Sequence, residues 1–137
     1  MSSLSFNPAD PRIDEGIRLF NDREFFACHD VFEDFWSEVT GPEKTFFQGL
    51  IHAAVCLFHF EEGNLGGARK MYGSCVAYLH SFEPIFCGIP VTDLLSDLEA
   101  CFAELLAARG GYPHGVTIRS DRIPTIIRQP SSDGEDR

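Results

Sequence analysis

The sequence has no C-x-x-C pair, no glycine-rich phosphate loop, a single tryptophan and few basic residues, and these shortages close off several classes of function. Five cysteines stand at 28, 56, 75, 87 and 101. Their odd number and unpaired spacing argue against a disulfide framework and for a reduced, intracellular protein. Neither G-x-G-x-x-G nor G-x-x-x-x-G-K-[ST] occurs, so no nucleotide loop is expected. Eleven Lys and Arg stand against 21 Asp and Glu, a net charge of −10. That excess weighs against phosphate backbones and anionic membrane surfaces, so neither nucleic acid nor membrane is an expected partner. The N-terminus has no basic n-region and no apolar h-region, which predicts no secretory signal. The longest apolar stretch, Phe46 to Phe60, is broken by His52 and His59 and is too short and polar to span a bilayer. A soluble, cytoplasmic protein is expected.

What is present is a core. The 137 residues suit one domain, 44% of them are hydrophobic, and 13 are phenylalanine. The acidic excess lies ahead of Ala108, with six basic against 17 acidic residues; after it there are five against four. Asp10-Pro11 reads as a helix start, leading to about Phe20. Further helices are expected at about Arg23–Val39 and Glu43–Glu62, and from an Asn64 cap to about Phe82. A fifth runs from a Thr92 cap to the Gly110-Gly111 stop. Leu65, Ala68, Met71, Tyr72, Cys75, Val76 and Leu79 form one helical stripe; Leu94, Leu95, Leu98, Cys101, Phe102, Leu105 and Leu106 form another. Pro84 and Pro90 bracket a loop, and no useful length alternates at period two. The fold class is all-α: a compact bundle of four to five helices over residues 1–108. An extended to disordered C-terminal tail follows over 109–137, with extended character at Val116–Ile118 and Ile123–Ile127.

The second helix carries the chemistry, if any does. With Phe25 at zero on a helical wheel, Trp36 falls at about 20°, Phe32 at about 340° and Phe26 at about 100°. His29, at about 40°, and Glu33, at about 80°, then lie inside this aromatic arc, with Asp30 and Asp34 on the opposite side. Two titratable groups one turn apart are thus expected to face the core, where burial demands partners. The third helix is apolar nearly all round, the mark of a central helix. Its polar stripe is Gln48, His52, Cys56 and His59. Antiparallel packing is expected to bring His59 towards His29, and Gln48 towards Trp36.

Two readings of this constellation stay open. A His-x-x-x-Glu pair with a histidine from a facing helix makes a 2-His-1-carboxylate set, which suits one divalent metal, Zn or Fe. His29, Glu33 and His59 are the expected ligands, with Glu33 as general base if a third ligand comes from elsewhere. The other reading is a buried hydrogen-bond network that fixes helix register; an organic ligand held by the same groups is a further variant. Trp36, Gln48, His52, Cys56 and Asn64 are candidate site-lining residues. His80 and His114 are isolated and expected at the surface.

The string Phe20-Asn21, Glu24-Phe25-Phe26, Cys28-His29-Asp30-Val31-Phe32-Glu33 and Trp36 resembles a known pattern. So does Gln48-Gly49-Leu50-Ile51 followed by His59, Gly63-Asn64 and Gly67-Ala68. Together, over about residues 13–106, the chain resembles the domain-of-unknown-function 309 family of bacteria and archaea. The resemblance implies a compact all-helical fold with no established activity. Some members carry the label "predicted metal-dependent hydrolase", and their His-Glu motif maps onto His29, Asp30 and Glu33. The family usually has Glu where Asp30 stands, and often Gln where His52 stands.

The functional expectations are therefore a small metal-dependent hydrolase of unknown substrate, or a non-catalytic helical interaction module with the same residues as a structural network. In the second case the phenylalanine surplus points to a partner protein or a second copy of the chain. The tail residues Arg119, Arg122 and Arg128, with Ile123, Pro124 and Ile127, are expected to lie along the acidic bundle as an arm.

Overall fold

The computed structural model describes residues 4–108 and 115–130. The expected stop at Gly110-Gly111, His114 and the segment from Ser131 onward lie outside the described residues. Helix α1 (Pro11–Asn21) starts where Asp10 accepts the Arg12 backbone N–H at 2.9 Å and Pro11 holds the first position. Its buried residues, Ile13, Gly16, Ile17 and Phe20, follow the helical period. Helix α2 (Phe25–Trp36) is shorter than expected at both ends. Arg23 takes a left-handed φ of 63°, which no helix continues through, and the Glu24 N–H closes the turn onto the Leu19 carbonyl. At the other end, Lys44 donates to the carbonyls of Trp36 and Val39 and satisfies the chain as it leaves the helix.

Helix α3 (Glu43–Glu61) is central, as its all-round apolar sequence predicts. Ten of its residues are buried, among them Phe46, Phe47, Leu50, Leu57 and Phe60. It packs chiefly against α2 and α4 (Leu65–Leu79), while α1 packs on α2. Asn64 caps α4 by accepting the Gly67 N–H at 3.1 Å, as expected. The helix stops at Leu79, and His80–Phe82 tighten into a 3₁₀ turn rather than continuing it.

The stretch read as a loop holds a small hairpin, β1 (Ile85–Phe86) against β2 (Ile89–Pro90), with Ile85 opposite Pro90 and Phe86 opposite Ile89. Cys87 and Gly88 both have positive φ, 54° and 74°, the geometry of a two-residue hairpin turn. Strands of two residues are too short to leave an alternating pattern in sequence. The fifth expected helix is broken into α5 (Val91–Cys101) and α6 (Ala103–Ala107). Phe102, at the break, is fully buried against Phe60 and Tyr72, each at a 4.9 Å ring separation.

The phenylalanine surplus is mostly core rather than surface. Eight of the 13 are buried, and Phe26 alone of them is among the exposed large hydrophobic residues described. The arm docks. Asn21 donates to the Ile126 carbonyl at 2.8 Å and accepts the Ile126 N–H at 2.7 Å. Arg128 pairs with Asp14 at 3.0 Å. Ile126, not Ile127, enters the core, because the extended backbone alternates and Ile127 lies on its outer face.

Candidate functional site

Helix α2 places its buried residues, Phe25, Cys28, Phe32 and Phe35, on an arc from about 280° to 0° on the same wheel. The expected arc was centred too far round, because it counted Phe26 as core and left out Cys28 and Phe35. Phe26 is 59% exposed. His29, at the edge of the true arc, is consequently half-buried, and Glu33 faces outward beside Asp30. The inward-facing Glu33 expected from the sequence is therefore corrected to an exposed one.

The outward placement brings three groups together. His29 Nδ1 lies 3.2 Å from Asp30 Oδ1, and His29 Nε2 lies 3.7 Å from Glu33 Oε2. Among the described residues these three make the one set of metal-type donors whose ligand atoms all fall within 4.8 Å of one another. The carboxylates bracket the ring. Asp30 fits as acceptor of the Nδ1 proton, which leaves the Nε2 lone pair on the Glu33 side. Two donors on a tetrahedral ion with bonds of about 2.1 Å sit roughly 3.4 Å apart, so the 3.7 Å gap fits one ion with a small side-chain adjustment. Wheel reasoning missed Asp30, since neighbouring positions point about 100° apart and only the flexibility of the side chains closes the gap.

His59 does not join this set. It sits beyond an aromatic pair: Phe26 lies 5.9 Å from the His29 ring and 5.6 Å from Phe58, which lies 6.1 Å from His59. His59 Nδ1 faces the Asn64 side-chain amide at 3.3 Å, which makes Nδ1 the acceptor. Gln48, His52 and His59 do form one line on α3, but the line is the helix's half-exposed edge and not a core-facing stripe. Cys56, expected on the same line, is buried; its thiol donates to the Ala53 carbonyl, and burial pushes its pKa well up. The Cys28 thiol, buried in α2, is pushed up to about 12. Neither is poised as a thiolate. Trp36 is half-buried, with the Lys44 ammonium 3.9 Å over its ring. Its indole N–H is buried without a partner among the described residues.

A polar network exists, but Glu33 is not in it. His52 Nδ1 lies 2.6 Å from Ser74 Oγ, and His52 Nε2 lies 3.2 Å from the Gln48 amide nitrogen. Ser74 in turn donates to the Met71 carbonyl at 3.1 Å. These contacts tie α3 to α4 and suit a neutral His52 with its proton on Nδ1. Sequence reasoning missed Ser74, because its only signal is a register on α4 that the apolar stripe does not fix. Burial, and to a lesser degree the charge of His29, lowers the His52 pKa. The unfolded chain therefore binds a proton at residue 52 at higher pH than the folded one. This contribution to stability is whole above the ordinary histidine value of 6.5 and is lost as pH falls below it towards the folded pKa. Urea unfolding at about pH 7.5 and about pH 5.5 should give a lower midpoint at the acid value, with a smaller difference in His52→Gln.

Among the described residues, no helix is long and apolar enough to cross a membrane. Fold and site together define a compact helical bundle with an exposed His-Asp-Glu cluster on its second helix. Residues 13–71, from α1 into α4, match the model of the family "Domain of unknown function (DUF309)", which bears out the resemblance over that span. The chain is 29% identical over 70 residues to the uncharacterized protein YpuF of Bacillus subtilis (strain 168), covering 50% of this chain and 40% of the relative. It is 27% identical over 81 residues to an uncharacterized protein of Aquifex aeolicus (strain VF5), covering 58% of this chain and 24% of the relative. The aligned segment thus spans less than half the length of either curated relative.

Proposed function

We propose that the protein is a divalent-metal-dependent hydrolase of a small-molecule substrate, with His29 and Glu33 as metal ligands. The observation that carries this reading is the bracketing of one imidazole by two carboxylates, Asp30 on Nδ1 and Glu33 on Nε2. Imidazole with carboxylate suits Zn²⁺ or Fe²⁺. Held by His29 and Glu33, a divalent ion would supply Lewis acidity towards a substrate carbonyl or phosphoryl oxygen. Asp30 fixes the tautomer and orientation of His29. Phe26 lies beside His29 and packs against Phe58, so one side of the imidazole is apolar. His59 lies on the far side of Phe58 from Phe26.

The alternative, a non-catalytic interaction module, is favoured by one observation, the exposure of Phe26 against Phe58. Glu33→Gln separates the two. Because Glu33 is exposed, the variant without metal should melt within about 2 °C of wild type. Added Zn²⁺ at about 100 times its Kd should stabilise the wild type by about 2.7 kcal/mol and leave the variant unmoved. A metal-free variant that melts many degrees lower would instead make Glu33 a structural residue. Equal stabilisation of both proteins would remove Glu33 from the ligand set.

A further inference from the structure

The arm that returns along the bundle is held in the manner of a bound peptide. Its inward positions alternate: Pro124 and Ile126 are buried and Arg128 is largely so, while Thr125, Ile127 and Gln129 face out. Asn21, on α1, reads the backbone of Ile126 through both its N–H and its carbonyl, at 2.7 and 2.8 Å, and so senses an extended chain rather than a side chain. Arg128 enters a socket of acceptors. It donates to the Cys87 carbonyl at 2.9 Å, to Asp14 at 3.0 Å and to the Pro8 carbonyl at 2.6 Å. The Gln129 N–H then adds a backbone hydrogen bond to the Gly88 carbonyl at 2.6 Å, at the tip of the hairpin. At this end Arg128, Gln129 and Pro130 border an open cavity of about 590 Å³ walled by Leu4, Ile85 and Phe86. Backbone clamps joined to pockets at alternate residues are the general form of extended-peptide recognition.

We propose that the groove between α1 and the β1–β2 hairpin is a peptide-docking site for an extended Pro-x-aliphatic-x-Arg segment of a partner protein, filled in cis by residues 124–128. The socket accepts a basic side chain, and the whole chain carries a net charge of −10, so a basic partner segment is favoured over a second acidic copy. The cis arm acts as a competitor whose effective concentration a partner must overcome.

The test uses the full chain. Ile126→Asp with Arg128→Glu places a carboxylate in an apolar pocket and another against Asp14, and so expels the arm. The probe is a fluorescein-labelled synthetic peptide with the sequence of residues 122–130. The released chain should bind it at least about tenfold more tightly than wild type does. Adding Asn21→Ala to the released chain should weaken binding about tenfold, through loss of the paired backbone hydrogen bonds. A peptide with Glu in place of Arg128 should not bind. The proposal is overturned if the released chain keeps its helical circular dichroism and does not bind, or if wild type binds equally well. It is also overturned if the released chain unfolds, since the arm is then a fixed part of the core. A wild-type dimer that the peptide dissociates, seen by light scattering, would overturn it too, because the occupant would be a second copy.

Discussion

Phe47→Ala should cost about 3–5 kcal/mol of unfolding free energy, the range for emptying a large aromatic site in a packed core. Phe47 is fully buried at the start of α3. Its ring meets Phe6 and Phe35 edge-on at 5.0 Å each, and Phe46 at 5.1 Å. It therefore joins α3 to α2 and to the segment ahead of α1. Phe35 and Phe46 are held by their own helices, so those rings cannot collapse fully into the void. A domain of this size is stable by only about 5–15 kcal/mol, so the loss is a large share of the total. Urea denaturation should show a much lower midpoint with little change in slope. Phe26→Ala, at an exposed ring, is the control and should change stability by no more than about 0.5 kcal/mol. Similar losses in both variants would mean that the aromatic core is not where the structure puts it.

Gly16→Ala should destabilise the protein by about 1–3 kcal/mol, although alanine is the better helix former. Two effects oppose each other. In an open helix the change gains about 1 kcal/mol of propensity. At residue 16, however, the new methyl would lie 2.3 Å from Phe32 Cε1 and 2.6 Å from two further atoms of the same ring. Phe32 is fully buried on α2, so its ring has nowhere to move, and α1 must shift away from α2. Gly73→Ala isolates the propensity term, since a methyl there meets nothing within 4 Å. That variant should be more stable than wild type by about 0.5–1 kcal/mol. If Gly16→Ala were also stabilising, the close approach of α1 to α2 would be wrong.

The all-helical class, the caps at Asp10 and Asn64, and the central burial of α3 were legible because each has a local signature: a capping residue, or an apolar period sustained over several turns. The break at Phe102 and the Cys87-Gly88 hairpin left none, since the first preserves the apolar stripe and the second is too short to alternate. The site was half legible. His29 and Glu33 do share a face of α2, as their spacing requires. Which way that face points was misread, because Phe26 looks like core in sequence and is exposed in the fold. One aromatic residue assigned to the wrong side turned the apparent core arc far enough to bury Glu33. Helical phase set Asp30 apart from His29, and only the family resemblance joined them, because the approach depends on side-chain reach and not on phase.

The exposed position of the His29–Asp30–Glu33 set changes what the site requires. A buried carboxylate demands a partner merely to fold, whereas an exposed one does not. Hydrophobic packing accounts for the bundle without it, so loss of these side chains should be felt in metal binding and not in folding.

The most direct test is metal content by plasma mass spectrometry. The protein should be purified without a histidine tag or chelator, with His29→Ala prepared in parallel. The account predicts Zn or Fe at close to one ion per chain in wild type and almost none in the variant, with the two proteins melting at similar temperatures once both are stripped of metal. No metal in wild type even after reloading, or equal metal in both proteins, would contradict it.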